Sequence, residues 1–305
     1  FAQGSICIQR FFPHWRKSSM QLFLWGAFLL VGAAVALWFS RLCNRRFCCP
    51  KPHSSAVLVT GISSGLGRVF ARDLALQGFL VFGTVRKQSD FDEVKAEGII
   101  RPVMLDVTEA SQVPAALSYV TSVLRSEGRS LCALVNNAGI LGKDLVKDSA
   151  FAKPEHYHTV MATNVYGVVR VTEAFLPLLR ECPGARIINI GSYFGDVAPG
   201  RADLAPYVTS KFAIEGLSNV WRRDLRNADV AVVLIKPGDF STEMNALPQA
   251  SRDLTPVVAC VRDAVLNQRP LARYYTGTVA LAGFPVWFLC RLLNVLPDAL
   301  ADKLM

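Results

Sequence analysis

Over most of its length the chain alternates short apolar runs with stretches whose apolar residues recur every three or four positions. The runs are Ala56–Val59, Leu80–Phe82, Pro102–Leu105, Leu131–Val135, Arg186–Ile190 and Val230–Ile235. They lack the in-out alternation of a half-solvated sheet, so each predicts a strand covered on both faces. Between them, Leu66–Leu76, Val113–Arg125, Tyr157–Leu179 and Lys211–Leu225 carry the helical period. Strands and helices in strict alternation predict an α/β architecture, a doubly wound parallel sheet with helices on both sides.

The two ends of the chain depart from this pattern. From Ser18 to Ser40 there is no charged residue for 23 positions, with Trp25 and Trp38 near the limits and bases beyond both. That length suffices to cross a hydrocarbon core of roughly 30 Å, and a single N-terminal transmembrane helix is expected. At the other end, Tyr274 to Cys290 is also uncharged, but Gly283 and Pro285 interrupt it. A flap on the core or an interfacial helix is expected there rather than a second span. The expected domains are a basic arm with its anchor over 1–55, a catalytic domain over 56–272 and a hydrophobic extension over 273–305.

Composition refines this picture in two ways. Hydrophobic residues make up 51% of the 305, and the formal charge is +9. Residues 1–55 hold seven bases and no acid, which leaves 26 bases against 24 acids in the remainder. The basic character therefore belongs to the N-terminal arm, which fits an anionic lipid surface and argues against nucleic acid as a partner. The eight cysteines form no CxxC pair and have no histidines at ligand spacing, so neither a metal site nor a disulfide scaffold is expected. Cys132, Cys182 and Cys260 read as small core residues, while Cys43, Cys48 and Cys49 follow the apolar segment, where acylation is conceivable.

Candidate chemistry begins with Tyr207 and Lys211, which share one helix face a turn apart. An ammonium beside a phenol is expected to lower the phenol's pKa and fit it for proton transfer. Upstream, the first strand runs into Thr60-Gly61-Ile62-Ser63-Ser64-Gly65-Leu66-Gly67, a glycine-rich turn into a helix. Such a turn lets backbone approach a pyrophosphate at a helix N-terminus, as in Rossmann-type folds. The spacing is G-x-x-x-G-x-G, and with it the chain resembles the short-chain dehydrogenase/reductase family over about Ala56–Thr242. The resemblance implies a cofactor turn at Thr60–Gly67 and an adenine contact at Asp106 and Val107. It also implies a cofactor-contacting motif at Asn137, Ala138 and Gly139, and a nicotinamide loop at Pro237, Gly238 and Thr242. It assigns catalysis to Asn164, Ser192, Tyr207 and Lys211, with Tyr207 moving the proton, Ser192 bonding the same oxygen, Lys211 tuning the tyrosine and holding the ribose, and Asn164 anchoring a relay water; Tyr207 and Lys211 are thereby also cofactor contacts. Ser192 and Tyr207 lie further apart than is usual in the family, and the extra length, within Gly195–Leu204, is expected to bulge outward.

After the second strand, Val85-Arg86 offers a base where an acid would hold the ribose of NAD(H). This favours NADP(H), with Arg68 as a second contact and NAD(H) as the other nicotinamide. The anchored N-terminus, the stretches GFLVFGTVRK (78–87) and IGSYFG (190–195), and the tail from Ala272 resemble the membrane-associated retinol, hydroxysteroid and hydroxybutyrate dehydrogenase branch. This implies a membrane-anchored oxidoreductase interconverting a lipophilic secondary alcohol and its ketone. The other reading is an accessory subunit of a membrane complex with a structural or vestigial cofactor site. Expected partners are a lipophilic small molecule, the membrane, and either copies of the chain or other members of such a complex. The acid-free leader starting at Phe1 leans toward a mitochondrial membrane, with the endoplasmic reticulum as the alternative.

Overall fold

A computed structural model describes residues 46–48, 50–145, 151–241, 250–278 and 285–293. Among them, seven strands form one parallel sheet: β1 (Ser55–Val59), β2 (Leu80–Val85), β3 (Arg101–Met104), β4 (Ser130–Asn136), β5 (Ala185–Ile190), β6 (Val230–Pro237) and β7 (Arg273–Thr276). All six predicted strands are present. Every residue of β1, β5 and β6 is buried, which is why their sequences read as unbroken apolar runs. The spatial order is β3-β2-β1-β4-β5-β6-β7, so the direction of winding reverses between β1 and β4. At that switch the loops leaving the two strands diverge and open a crevice at the carboxyl end of the sheet.

The covering helices are α1 (Gly65–Leu76), α2 (Gln88–Glu97), α3 (Val113–Glu127), α4 (Pro154–Met161), α5 (Val168–Arg180), α6 (Ala205–Asp224), α7 (Thr255–Leu266) and α8 (Val286–Leu293). The sheet core is closed by fully buried side chains such as Phe70 of α1, Phe82 of β2 and Phe175 of α5. Cys132 and Cys182 lie in this core as expected, whereas Cys260 is only half-buried; the described cysteines are all free thiols. Arg186 is wholly buried within β5 because its guanidinium donates to the carbonyls of Cys48 (3.1 Å) and Asn267 (2.9 Å).

Three features differ from the pattern-based expectation. Tyr157–Leu179 is not one α-helix: α4 and α5 are joined through a π-helical turn, Ala162–Gly167. A π turn keeps the chain helical, so the apolar period alone does not expose it. Helix α2 buries only Val94 and therefore shows no apolar face to read. The segment from 273, expected as an extension, begins with β7, which pairs with β6 as the last strand of the sheet. Beyond it, Val286 and Cys290 of α8 pack on Tyr193 and Val197, as a flap on the core does, while Trp287 and Phe288 remain exposed. The predicted anchor at Ser18–Ser40 lies outside the described residues. Among the described residues no helix is long and apolar enough to cross a membrane.

Candidate active site

The crevice is shaped first by glycine. Gly61 and Gly65 have φ of +70° and +58°, backbone that other residues avoid. A Cβ on Gly67 would sit 2.2 Å from the Gly61 carbonyl oxygen and 2.4 Å from Asn137 Nδ2. These close approaches are held by polar stitching. The Thr60 hydroxyl accepts from the amides of Asn137 and Ala138, each at 3.0 Å. Asn137 Nδ2 returns bonds to the carbonyls of Thr60 (2.9 Å) and Gly61 (3.0 Å). Ser64 precedes α1 without a side-chain cap, so the first-turn amides are not claimed by it. Exposed amides at a helix N-terminus, in a cradle without Cβ atoms, fit the pyrophosphate of a dinucleotide.

Every predicted catalytic and cofactor residue lines this one cleft except four: Thr60, Asn164, Thr242 and Arg68. Thr60 is buried behind the turn, Asn164 is buried behind the neighbouring Thr163, and Thr242 lies outside the described residues. The cleft also takes in Thr84, Ile140, Ile190, Gly191 and Phe240, most of them chain neighbours of predicted positions. Asp106 opens the turn after β3, its Oδ1 accepting from the amide (2.9 Å) and hydroxyl (2.7 Å) of Thr108. Arg86 is exposed on the rim, and no ion pair engages it among the described residues. Arg68, expected as a second phosphate contact, is instead committed to the carboxylates of Glu93 (2.8 Å) and Glu97, with its side chain 8% exposed. Its charge is neutralised inside the α1–α2 contact, which corrects that expectation.

On the opposite wall, Ser192 caps a 3₁₀ turn, Tyr193–Gly195, its Oγ accepting from the Phe194 amide at 3.2 Å. A Cβ on Gly195 would lie 2.8 Å from the Lys211 carbonyl oxygen, so the turn rests directly on α6. The chain then leaves through the exposed Ala198, Gly200 and Arg201 and returns by a second 3₁₀ turn, Ala202–Leu204. The longer Ser192–Tyr207 spacing is thereby taken up outside the cleft. Tyr207 stands in the first turn of α6 beside Pro206, whose missing N–H has no helical acceptor there. Lys211 Nζ lies 5.3 Å from the Tyr207 ring centroid and donates to the Ile190 carbonyl at 2.9 Å. Asn164, inside the π turn, brackets Ile140 through its amide (2.8 Å) and carbonyl (2.9 Å) and donates to Ser210 Oγ at 3.0 Å.

The electrostatics depart from the expectation of an acidic tyrosine. Burial pushes the Tyr207 phenol up to about 12; a hydrogen bond with Ser192 opposes the rise and the charge of Asp239 adds to it. Burial takes Lys211 the other way, down to about 8. The Lys211 ammonium is turned to the Ile190 carbonyl rather than to the phenol oxygen. Asp239 itself is buried and accepts from the Tyr193 hydroxyl at 3.2 Å, a pairing with no sequence signal.

The family model described as short chain dehydrogenase matches residues 55–252. The chain belongs to this family. As a short-chain dehydrogenase it is an oxidoreductase that acts on hydroxyl groups with NAD(P)(H). Among its relatives is the mitochondrial D-beta-hydroxybutyrate dehydrogenase of Bos taurus, 30% identical over 82% of this chain and 83% of that one. Another is the 17-beta-hydroxysteroid dehydrogenase type 2 of Homo sapiens, 31% identical over 73% of this chain and 67% of that one. A short chain dehydrogenase from Burkholderia cenocepacia, solved in complex with NADP, superposes with a TM-score of 0.67 at 25% identity, over 84% of this chain and 99% of that one. These likenesses agree with the hydroxysteroid and hydroxybutyrate branch that the sequence resembles.

Proposed function

We propose that this chain interconverts a lipophilic secondary alcohol and its ketone with NADP(H), from a membrane to which residues 18–40 anchor it. The observation that carries the reading is the convergence of Ser192, Tyr207 and Lys211 on the cleft that the glycine turn opens. NADP(H) supplies or accepts the hydride; Gly61–Gly67 and Asn137–Gly139 would hold it, with Pro237, Gly238 and Thr242 at its nicotinamide end. Arg86 is available to a 2′-phosphate because no carboxylate engages it among the described residues. Ser192 and Tyr207 both present hydroxyls to the substrate oxygen. Near neutral pH the raised tyrosine keeps its proton and donates it as the ketone oxygen gains charge. Lys211, whose ammonium lies 5.3 Å from the Tyr207 ring, would then return a proton toward the phenolate. Asn164 fixes the loop after β4 and, through Ser210, the helix beside Lys211.

The anchor is supported by the uncharged, tryptophan-flanked segment, and a mitochondrial membrane by the acid-free leader and the mitochondrial name of the bovine relative. The domain reading stays an arm over 1–55, a catalytic body over 56–272 and an extension over 273–305 that donates the edge strand. The test is Tyr207→Phe in the full chain, assayed against retinoid, hydroxysteroid and hydroxyacyl alcohols. Turnover should fall by roughly 10²–10⁴-fold while NADP(H) affinity stays within a few-fold. Turnover unchanged by the substitution would sink the catalytic reading and favour the accessory-subunit alternative.

A further inference from the structure

We propose that Lys236 is a positioning residue that locks the three segments of the candidate active site into one register. The inference rests on the catalytic reading of Ser192, Tyr207 and Lys211 given above. Lys236 is the seventh residue of β6 and is 0% exposed. Its ammonium pairs with Asp196 at 2.5 Å and with Glu215, and it lies 5.4 Å from the Tyr275 ring centroid. Glu215 is held in turn by Arg273 Nε at 2.7 Å, and Arg273 also reaches Asn219 Oδ1 at 2.7 Å.

The positions of the partners carry the argument. Asp196 stands four residues after Ser192, Glu215 stands one helical turn after Lys211, and Lys236 directly precedes Pro237-Gly238. One buried ammonium thus joins the serine turn, the tyrosine–lysine helix and the loop assigned to the nicotinamide. A buried ion pair is a poor way to add stability, because its desolvation offsets its attraction and packed apolar residues often do better. What such a pair does supply is direction, since the carboxylates accept only from a donor correctly placed. The missing side chain of Gly195, which seats the serine turn on the Lys211 carbonyl, makes any shift of Asp196 felt at both catalytic groups.

Two variants of the full chain test this: Asp196→Asn, and the uncharged triple Asp196→Asn/Glu215→Gln/Lys236→Met. Each is measured for kcat and KM on the alcohol that wild type oxidises fastest in the panel above, for NADP(H) affinity by fluorescence titration and for thermal midpoint. Misplacing reacting groups by a fraction of an ångström costs on the order of tenfold or more in turnover. Both variants should therefore lose at least about tenfold in kcat with KM and NADP(H) affinity near wild type, whatever happens to the midpoint. A smaller loss in Asp196→Asn, or a triple variant whose kcat returns to wild type, overturns the proposal. Should the triple variant fail to fold, Asp196→Asn decides alone. Loss of turnover in Tyr207→Phe together with full turnover in these variants would reject the role of Lys236 and leave the catalytic reading standing.

Discussion

The two walls of the crevice are made by opposite means. The wall between β1 and β2 is shaped by missing atoms: Gly61 and Gly67 let backbone pass where a Cβ would collide, and Gly65 turns through positive φ. The wall formed by β5, β6 and α6 is shaped by buried charge, Lys211 lining the cleft with Lys236 and Asp239 buried behind it. The difference is one of failure mode. A steric wall tolerates no addition and fails at once, whereas an electrostatic wall changes by degrees with charge and pH.

The largest expected effect falls on the charged wall. Lys211→Met should lower kcat on the order of 10³-fold and weaken NADP(H) binding as well, which steady-state kinetics and fluorescence titration would resolve. The pH profile sharpens the same point. As pH climbs through about 8, Lys211 loses its proton before Tyr207, whose pKa is raised to about 12. Ketone reduction should therefore fall, and alcohol oxidation rise, over that interval. Profiles flat from pH 7 to 9 in both directions would contradict the order of titration. On the steric wall, Gly67→Ala should weaken NADP(H) binding on the order of 100-fold, since the new methyl meets backbone that has nowhere to move. Wild-type affinity in that variant would show that the turn can relax. The smallest change comes at the rim: Arg86→Ala should cut the preference for NADP(H) over NAD(H) by about tenfold, read as a ratio of kcat/KM values. An unaltered ratio would return Arg86 to the role of a solvated base.

How far the sequence reveals each wall follows from the same contrast. Backbone approach needs glycine at fixed spacing, so the turn after β1 could be read directly, and Gly61 and Ser63 to Gly67 line the cleft. The strands were equally readable, because burial on both faces leaves unbroken apolar runs. The charged wall was readable only in part. Tyr207 and Lys211 announce themselves by sharing a helix face, but their titration order depends on burial and on the Ile190 carbonyl, which no spacing encodes. Lys236 closes an apolar run and looks like a strand end meeting solvent, while its partners come from 40 residues upstream at Asp196 and from α6. Arg68 misled for the converse reason: a base near a phosphate turn suggests a ligand contact until Glu93 and Glu97 are seen to enclose it.

The π turn at Ala162–Gly167 makes the reach of Asn164 depend on how many residues precede it as well as on which they are. Deleting one residue there would let the turn close to ordinary helix with α4 and α5 still in phase, so the displacement would fall on the residues of the turn itself. Asn164, inside the turn, would be carried off Ile140 and Ser210, although every candidate catalytic side chain would still be present in the sequence. Such a chain would keep the full motif set and lose the site, so the count of residues between α4 and α5 is part of its specification. A homologue one residue shorter in this stretch should be doubted as an enzyme even when each motif is intact.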